Sequence, residues 1–222
     1  MSLILNIDTA LETASISLAR DGRIIEQSTN DKQKDHASWL HPAVDELFQK
    51  TNMRLQQLEA VAVSNGPGSY TGLRVGLSAA KGYCFALGIP LICVGTLEII
   101  ADSVLEKATD LICPMIDARR MEVFTAVYDK NMTVRMVPQA MILDTSSYSQ
   151  LLDSHSILFC GNGSKKLQNI IQNPHAVFTA DSSFSVSLAR LSQKQLLENK
   201  FADLAYCEPL YIKEFYSPAR KD

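Results

Sequence analysis

The sequence predicts an α/β protein of two related lobes, on three observations. Short apolar strands alternate with helical patterns through the first half of the chain. The stretch "LILNIDTALETASISLARD" near the start is echoed by "LICPMIDARRMEVFTAVYD" in the middle, each a buried strand ending in Ile-Asp, a short turn and an alternating strand. A repeat at half the chain length points to duplicated halves, because solenoid periods run only about 20 to 50 residues. The expected lobes span residues 1–108 and 109–222.

Each element has its own local signal. Leu3 to Ile7 is an apolar strand ending at Asp8, and "TASISLARDGRIIEQS" alternates around Asp21-Gly22, the dipeptide of a tight hairpin. From Asp35, a candidate N-cap, Leu40, Val44, Leu47 and Phe48 fall at helical spacing, with Pro42 at a first turn or kink. A strand from Ala60 to Val63 leads into a glycine-rich turn. The following helix carries Leu73, Leu77, Ala80, Cys84 and Leu87 on one face and stops at Gly88 with Pro90 beyond. Leu91 to Val94 and Leu97 to Leu105 give a further strand and helix.

In the second half the spacing predicts helices near Ser146 to Leu152, Lys165 to Ile171 and Ser183 to Leu197, and a strand at Ile157 to Cys160 before "GNGS". The tail "EPLYIKEFYSPARKD" opens as a strand-like segment and ends polar. Two lobes, each opening with a hairpin whose first strand ends in Asp, follow the plan of the actin and sugar-kinase ATPases.

Composition narrows the function. The chain has 222 residues, 46% hydrophobic and 20% charged, which suits a globular protein. A net charge of −3 leaves no basic field to hold RNA by counterion release, so any role on a nucleic acid leans on partners. Five cysteines without a C-x-x-C pair read as structural thiols of a reducing cytoplasm. The start has no basic n-region, and the longest apolar stretch, Cys84 to Val94, is broken by Gly88 and Pro90. A cytoplasmic chain without a membrane span is expected.

The glycine turn "NGPGSYTGLRVG" follows a strand and opens a helix, where backbone N–H groups can gather on an anion. The motif rules are not met. Leu73 and Arg74 follow Gly72 where a phosphate loop needs Lys and Ser or Thr, and Gly66, Gly68 and Gly72 do not fit G-x-G-x-x-G.

"NIDTA", "SNGPGSYTGLRVGLSAAKG", "IDARRMEVFTAVY" and "EPLYIKEF", spread across essentially the whole chain, resemble the bacterial TsaB family. The resemblance implies a two-lobed actin-like, ribonuclease H-like fold. It also implies a non-catalytic subunit that binds the paralogue TsaD and, with the P-loop protein TsaE, supports threonylcarbamoyl transfer to the adenosine beside the anticodon of tRNAs. TsaD would be the heterodimer partner, with self-association into a homodimer when alone, and tRNA would be contacted only indirectly. No cofactor is expected in this chain, and whether ATP or ADP sits at the shared complex is left open.

Candidate site residues fall into two groups. Asp8, Thr9, Gly66, Gly68, Ser69 and Asp117 are the nucleotide candidates, Asp8 and Asp117 standing where actin-like enzymes hold a magnesium ion. Asp8 with Thr9 can equally cap a turn, and the "ARRM" turn after Asp117 has no glycine for phosphate approach. An inherited scaffold is the favoured reading, and an ATP-dependent phosphotransferase using Asp8 and the glycine turn is the alternative. Gly72, Gly76 and Ala80, with Ala79 beside them, form a bare helical stripe that packs on the protein's own sheet or on a partner. The resemblance favours the partner, with Trp39 and Leu40 on the same surface.

No metal or hydrolase site is expected. TsaD carries two histidines at H-x-x-x-H, whereas His36 and His41 stand five apart, about 140° around a helix. His155 and His175 lie in loop-like contexts, and no Ser-His-Asp or Cys-His signature is present. The Arg119–Arg120 and Arg220–Lys221 pairs read as solvated surface.

Overall fold

The computed structural model describes residues 1–32, 35–179 and 183–213. It contains two five-stranded sheets with the same plan. The first is built from β1 (Leu3–Asp8), β2 (Ala14–Arg20), β3 (Arg23–Asn30), β4 (Ala60–Ser64) and β5 (Leu91–Val94) in the order β3-β2-β1-β4-β5. The second is built from β6 (Leu111–Asp117), β7 (Glu122–Asp129), β8 (Val134–Ile142), β9 (Ile157–Cys160) and β10 (Ala176–Phe178) in the order β10-β9-β6-β7-β8. Read from β8, the second order repeats the first strand for strand. In both sheets a three-stranded antiparallel meander is extended by parallel strands. These are the duplicated α/β halves expected from the repeat, in the actin-like, ribonuclease H-like fold that the resemblance implies.

Among the described residues six α-helices cover the sheets: α1 (His36–Thr51), α2 (Tyr70–Leu87), α3 (Thr96–Ser103), α4 (Ser149–Leu152), α5 (Ser164–Gln168) and α6 (Phe184–Leu197). The inner strands β1, β4, β6 and β9 are buried on both faces, so their sequences are nearly continuous apolar runs, whereas β3 and β8 at the sheet edges are partly exposed. Leu3, Leu5 and Ile7 of β1 point into the core under α1 and α2, while Ile4 points into a second core with Leu188 and Leu191 of α6. In β6, Leu111, Cys113 and Met115 face one core and Ile112 and Ile116 face another with Leu97, Ile100 and Ala101 of α3.

α6 returns to the first sheet and packs across it and against α3. Polar ties help to fix it there. Ser192 Oγ donates a buried 2.6 Å bond to Asn6 Oδ1, and the Arg190 guanidinium pairs with Asp102 of α3.

Local details follow from single residues. Asp21 and Gly22 both take left-handed backbone angles (φ 49° and 77°), as a two-residue hairpin matching strand twist requires. Ser69 caps α2 by accepting from Gly72 N–H, and Gly88 ends it in the left-handed conformation. Asp35 precedes α1 but makes no side-chain cap, and Pro42 lies inside that helix. Residues 208–213 form no strand, and Arg220–Lys221 lies outside the described residues. Among the described residues no helix is long and apolar enough to cross a membrane.

Candidate functional site

The ends of β1 and β6 face a cleft of about 790 Å³. Its walls include Ala10 and Glu12 after β1, Gly68 to Gly72 at the start of α2, Asp117 to Arg119 after β6, and His36. Glycine turns shape both sides. Gly66-Pro67-Gly68-Ser69 follows β4 and Gly161-Asn162-Gly163-Ser164 follows β9, each with its first glycine at positive φ (115° and 87°). The two G-x-G-S turns are the duplicated halves of one device, a correspondence that the sequence carries.

The first turn is closed down onto β1. A side chain at Gly68 would strike the Ala10 carbonyl, and one at Gly72 would strike the Thr9 carbonyl. Ser69 N–H donates 2.7 Å to the Ala10 carbonyl, and Thr9 Oγ1 donates 2.7 Å to the Gly72 carbonyl. Gly66 is held from the other side by the backbone of Leu210. These glycines therefore serve close approach of backbone to backbone. The second turn repeats the arrangement, with Gly161 against the Met115 carbonyl and Gly163 against Ile116.

The bare stripe on α2 is also internal. Gly76 lies against Thr9 Oγ1 and the side chains of Val63 and Ile7, while Gly72 and Ala80 are buried. The expectation that Gly72, Gly76 and Ala80 face a partner is corrected by this packing: a strand lies where a partner helix would have to lie. Trp39 packs partly buried on the chain's own core. Leu40 and Ala79 border a shallow groove of about 500 Å³ between α1 and α2, together with His41, Ser78, Gly82 and Tyr83. A side chain at Gly82 would meet no atom, so this part of α2 is open.

Strand parity separates Asp8 from Thr9. Thr9 points to α2, and Asp8 points the other way, 3% exposed, its Oδ1 accepting from Ser64 Oγ at 2.6 Å and Ala10 N–H at 3.1 Å. Burial raises the carboxyl above the ordinary aspartate range, outweighing the Ser64 and Ala10 bonds and the charge of His36, which lower it. Asp8 borders a smaller pocket of about 320 Å³ with Ser15, Phe184 and Ser185.

Asp117, its counterpart, is exposed and paired to Lys166 Nζ at 2.7 Å. Desolvation acts upward there, but Lys166 and the Arg119 N–H bring its carboxyl below the usual range. The following turn places Arg119 and Arg120 at positive φ (71° and 47°), with Arg119 at the cleft wall. The structure thus brings Gly68, Ser69 and Asp117 to one cleft and turns Asp8 away from it.

The two histidines have separate neighbours. Buried His36 contacts Asn30 and exposed His41 contacts the Tyr83 hydroxyl, and no metal-binding group of side chains occurs among the described residues. Sequence reasoning missed His36 and Arg119 as cleft residues, because nothing local in the sequence marks them, whereas Asn162 lies in the "GNGS" turn that the sequence singles out.

A relative from Bacillus subtilis, a "tRNA threonylcarbamoyladenosine biosynthesis protein TsaB", is 33% identical over 77% of this chain and 75% of its own length. The chain belongs to the TsaB family. The TsaB protein of Haemophilus influenzae is 27% identical over 95% of the chain and 83% of its own length. A family model described as "TsaD: tRNA N6-adenosine threonylcarbamoyltransferase" matches residues 23–213, so the TsaB chain also belongs to that broader family. Among solved structures, YeaZ from Pseudomonas aeruginosa superposes with a TM-score of 0.79 at 25% identity, covering 95% of this chain and all of that one.

Proposed function

We propose that this TsaB-family chain is a non-catalytic scaffolding subunit in tRNA threonylcarbamoyladenosine biosynthesis, which binds and activates TsaD together with TsaE. The pathway is supported by the names of its relatives. The absence of a catalytic role rests on one observation: Asp8 and Thr9, at the actin-like magnesium position, are bonded to Ser64, Ala10 and Gly72 of the same chain. A phosphotransferase needs that carboxylate free and ionised, and burial favours its neutral form.

The docking surface in this proposal is the outer face of α1 and α2, at the groove bordered by Leu40, His41, Ala79 and Gly82. TsaD carries helices related to these, since its family model spans this chain, and helix-on-helix packing suits the small residues there. The same face serves self-association when TsaD is absent. The chain works in the cytoplasm, touches tRNA only through its partners and holds no cofactor of its own. Titration of the isolated chain with magnesium and ATP tests this. No turnover is expected, and turnover abolished by Asp8→Ala would overturn the reading in favour of the phosphotransferase.

A further inference from the structure

After α6 the chain runs back along the open edge of the first sheet as a strap. Ala202 N–H donates to the Leu91 carbonyl of β5, Leu210 N–H donates to the Asn65 carbonyl, and Arg74 Nε donates to the Tyr211 hydroxyl. Lys81 Nζ reaches the Ala205 carbonyl. The strap therefore spans β5, the glycine turn and α2, although no regular element holds it. In its middle, Cys207 Sγ lies 3.2 Å from Cys93 Sγ of β5. Both thiols are half-buried and free, whereas Cys84, Cys113 and Cys160 are fully buried.

We propose that Cys93 and Cys207 form a redox-sensitive pair that closes into a disulfide with a small-molecule disulfide as oxidant, latching the strap to the sheet edge. Bonding requires the sulfurs to approach to about 2.05 Å, a shift of about 1 Å that side-chain rotation on the strap supplies. Cys207 lies on the irregular strap and Cys93 inside the hydrogen-bonded strand β5, so Cys207 is the side chain that reaches the oxidant and attacks first; burial, with the Cys207 contact adding to it, pushes the Cys93 thiol up. Its thiolate attacks the oxidant disulfide, forming a mixed disulfide and releasing one thiolate. Cys93 then gives its proton to water and attacks the Cys207 sulfur, expelling the second thiolate. Two protein thiols are oxidised and one small disulfide is reduced to two thiols.

The full chain is incubated with oxidised glutathione, its free thiols are alkylated, and it is digested without reduction for mass spectrometry. A peptide pair joined through Cys93 and Cys207 is expected, with the other three of the five cysteines alkylated. Cys93→Ser should stop at a glutathione adduct on Cys207, and Cys207→Ser should give neither product. Amide exchange at Ala202 and Leu210 should slow by about tenfold or more on oxidation, because local opening of the strap is then restrained. A bond from either cysteine to Cys84, glutathione adducts without a crosslink, or unchanged exchange after crosslinking would each overturn the proposal.

Discussion

Thr9 Oγ1 donates to the Gly72 carbonyl at 2.7 Å, pinning the end of β1 to the first turn of α2 across 63 residues of sequence. The contact exists because Gly72 and Gly76 carry no side chains, which lets the helix settle against Thr9. One polar bond and two missing methyl groups therefore fix how the signature turn meets the first strand.

Gly76→Ala should destabilise the chain by about 1–3 kcal/mol, the usual cost of overpacking a closed contact. Thr9→Val should cost about 1 kcal/mol through the lost hydrogen bond and the unpaired Gly72 carbonyl. Urea unfolding of both variants and of the double variant checks this. Because both substitutions act on one contact, the double variant should lose less than the sum of the single losses.

Asp8 and Asp117 should respond to pH in opposite senses. Asp8 titrates above its unfolded value of about 3.9, so its favourable contribution is present in full below that pH and is lost as pH rises through the raised folded value. The stability difference between wild type and Asp8→Asn should therefore move toward the wild type as pH falls from neutral. Asp117 is depressed, so its contribution is present above about 3.9 and is lost as pH falls through the lowered folded value. The Asp117→Asn difference should accordingly shift against the wild type in acid. Denaturation curves at several pH values read both signs.

Gly82→Arg places a long cation in the α1–α2 groove where nothing blocks it. TsaD binding should weaken by more than about tenfold, about 1.4 kcal/mol, while the melting temperature stays near the wild-type value. Gly76→Arg would be a poor probe of the same surface, because it forces a side chain into β1 and Thr9 and unfolds the region. Calorimetric titration with TsaD, read beside thermal melts, separates the two behaviours.

Tyr211→Ala should free the end of the strap by removing the acceptor of Arg74 Nε and the ring that lies tilted against Tyr70, 5.1 Å between centroids. Faster amide exchange at Leu210 with unchanged exchange in β1 is the expected pattern.

The elements legible in the sequence were those with a local signal. The Asp21-Gly22 hairpin, the Gly88 end of α2, and the repeat of β1–β2 in β6–β7 all follow from neighbouring residues. β8 escaped because Pro138 interrupts it and its exposed edge position leaves no clean alternation, and β10 has only three residues. The α2 stripe was ambiguous for a physical reason, since a strand and a partner helix ask for the same small residues. Only the position of Thr9 decides between them, and that contact is made across the fold. The cleft was half legible: Asp117 and the glycine turns stood out, whereas His36 and Arg119 reach it through chain packing alone.

The central claim is that the chain supports tRNA modification by docking and supplies no chemistry. It is tested most directly by reconstituting threonylcarbamoyl transfer to tRNA with TsaD and TsaE, adding no further chain, the wild type, Asp8→Asn or Gly82→Arg. The account predicts transfer with the wild type and Asp8→Asn, and loss of transfer on omission or with Gly82→Arg. Equal transfer without the chain, or loss with a folded and TsaD-binding Asp8→Asn variant, would contradict it.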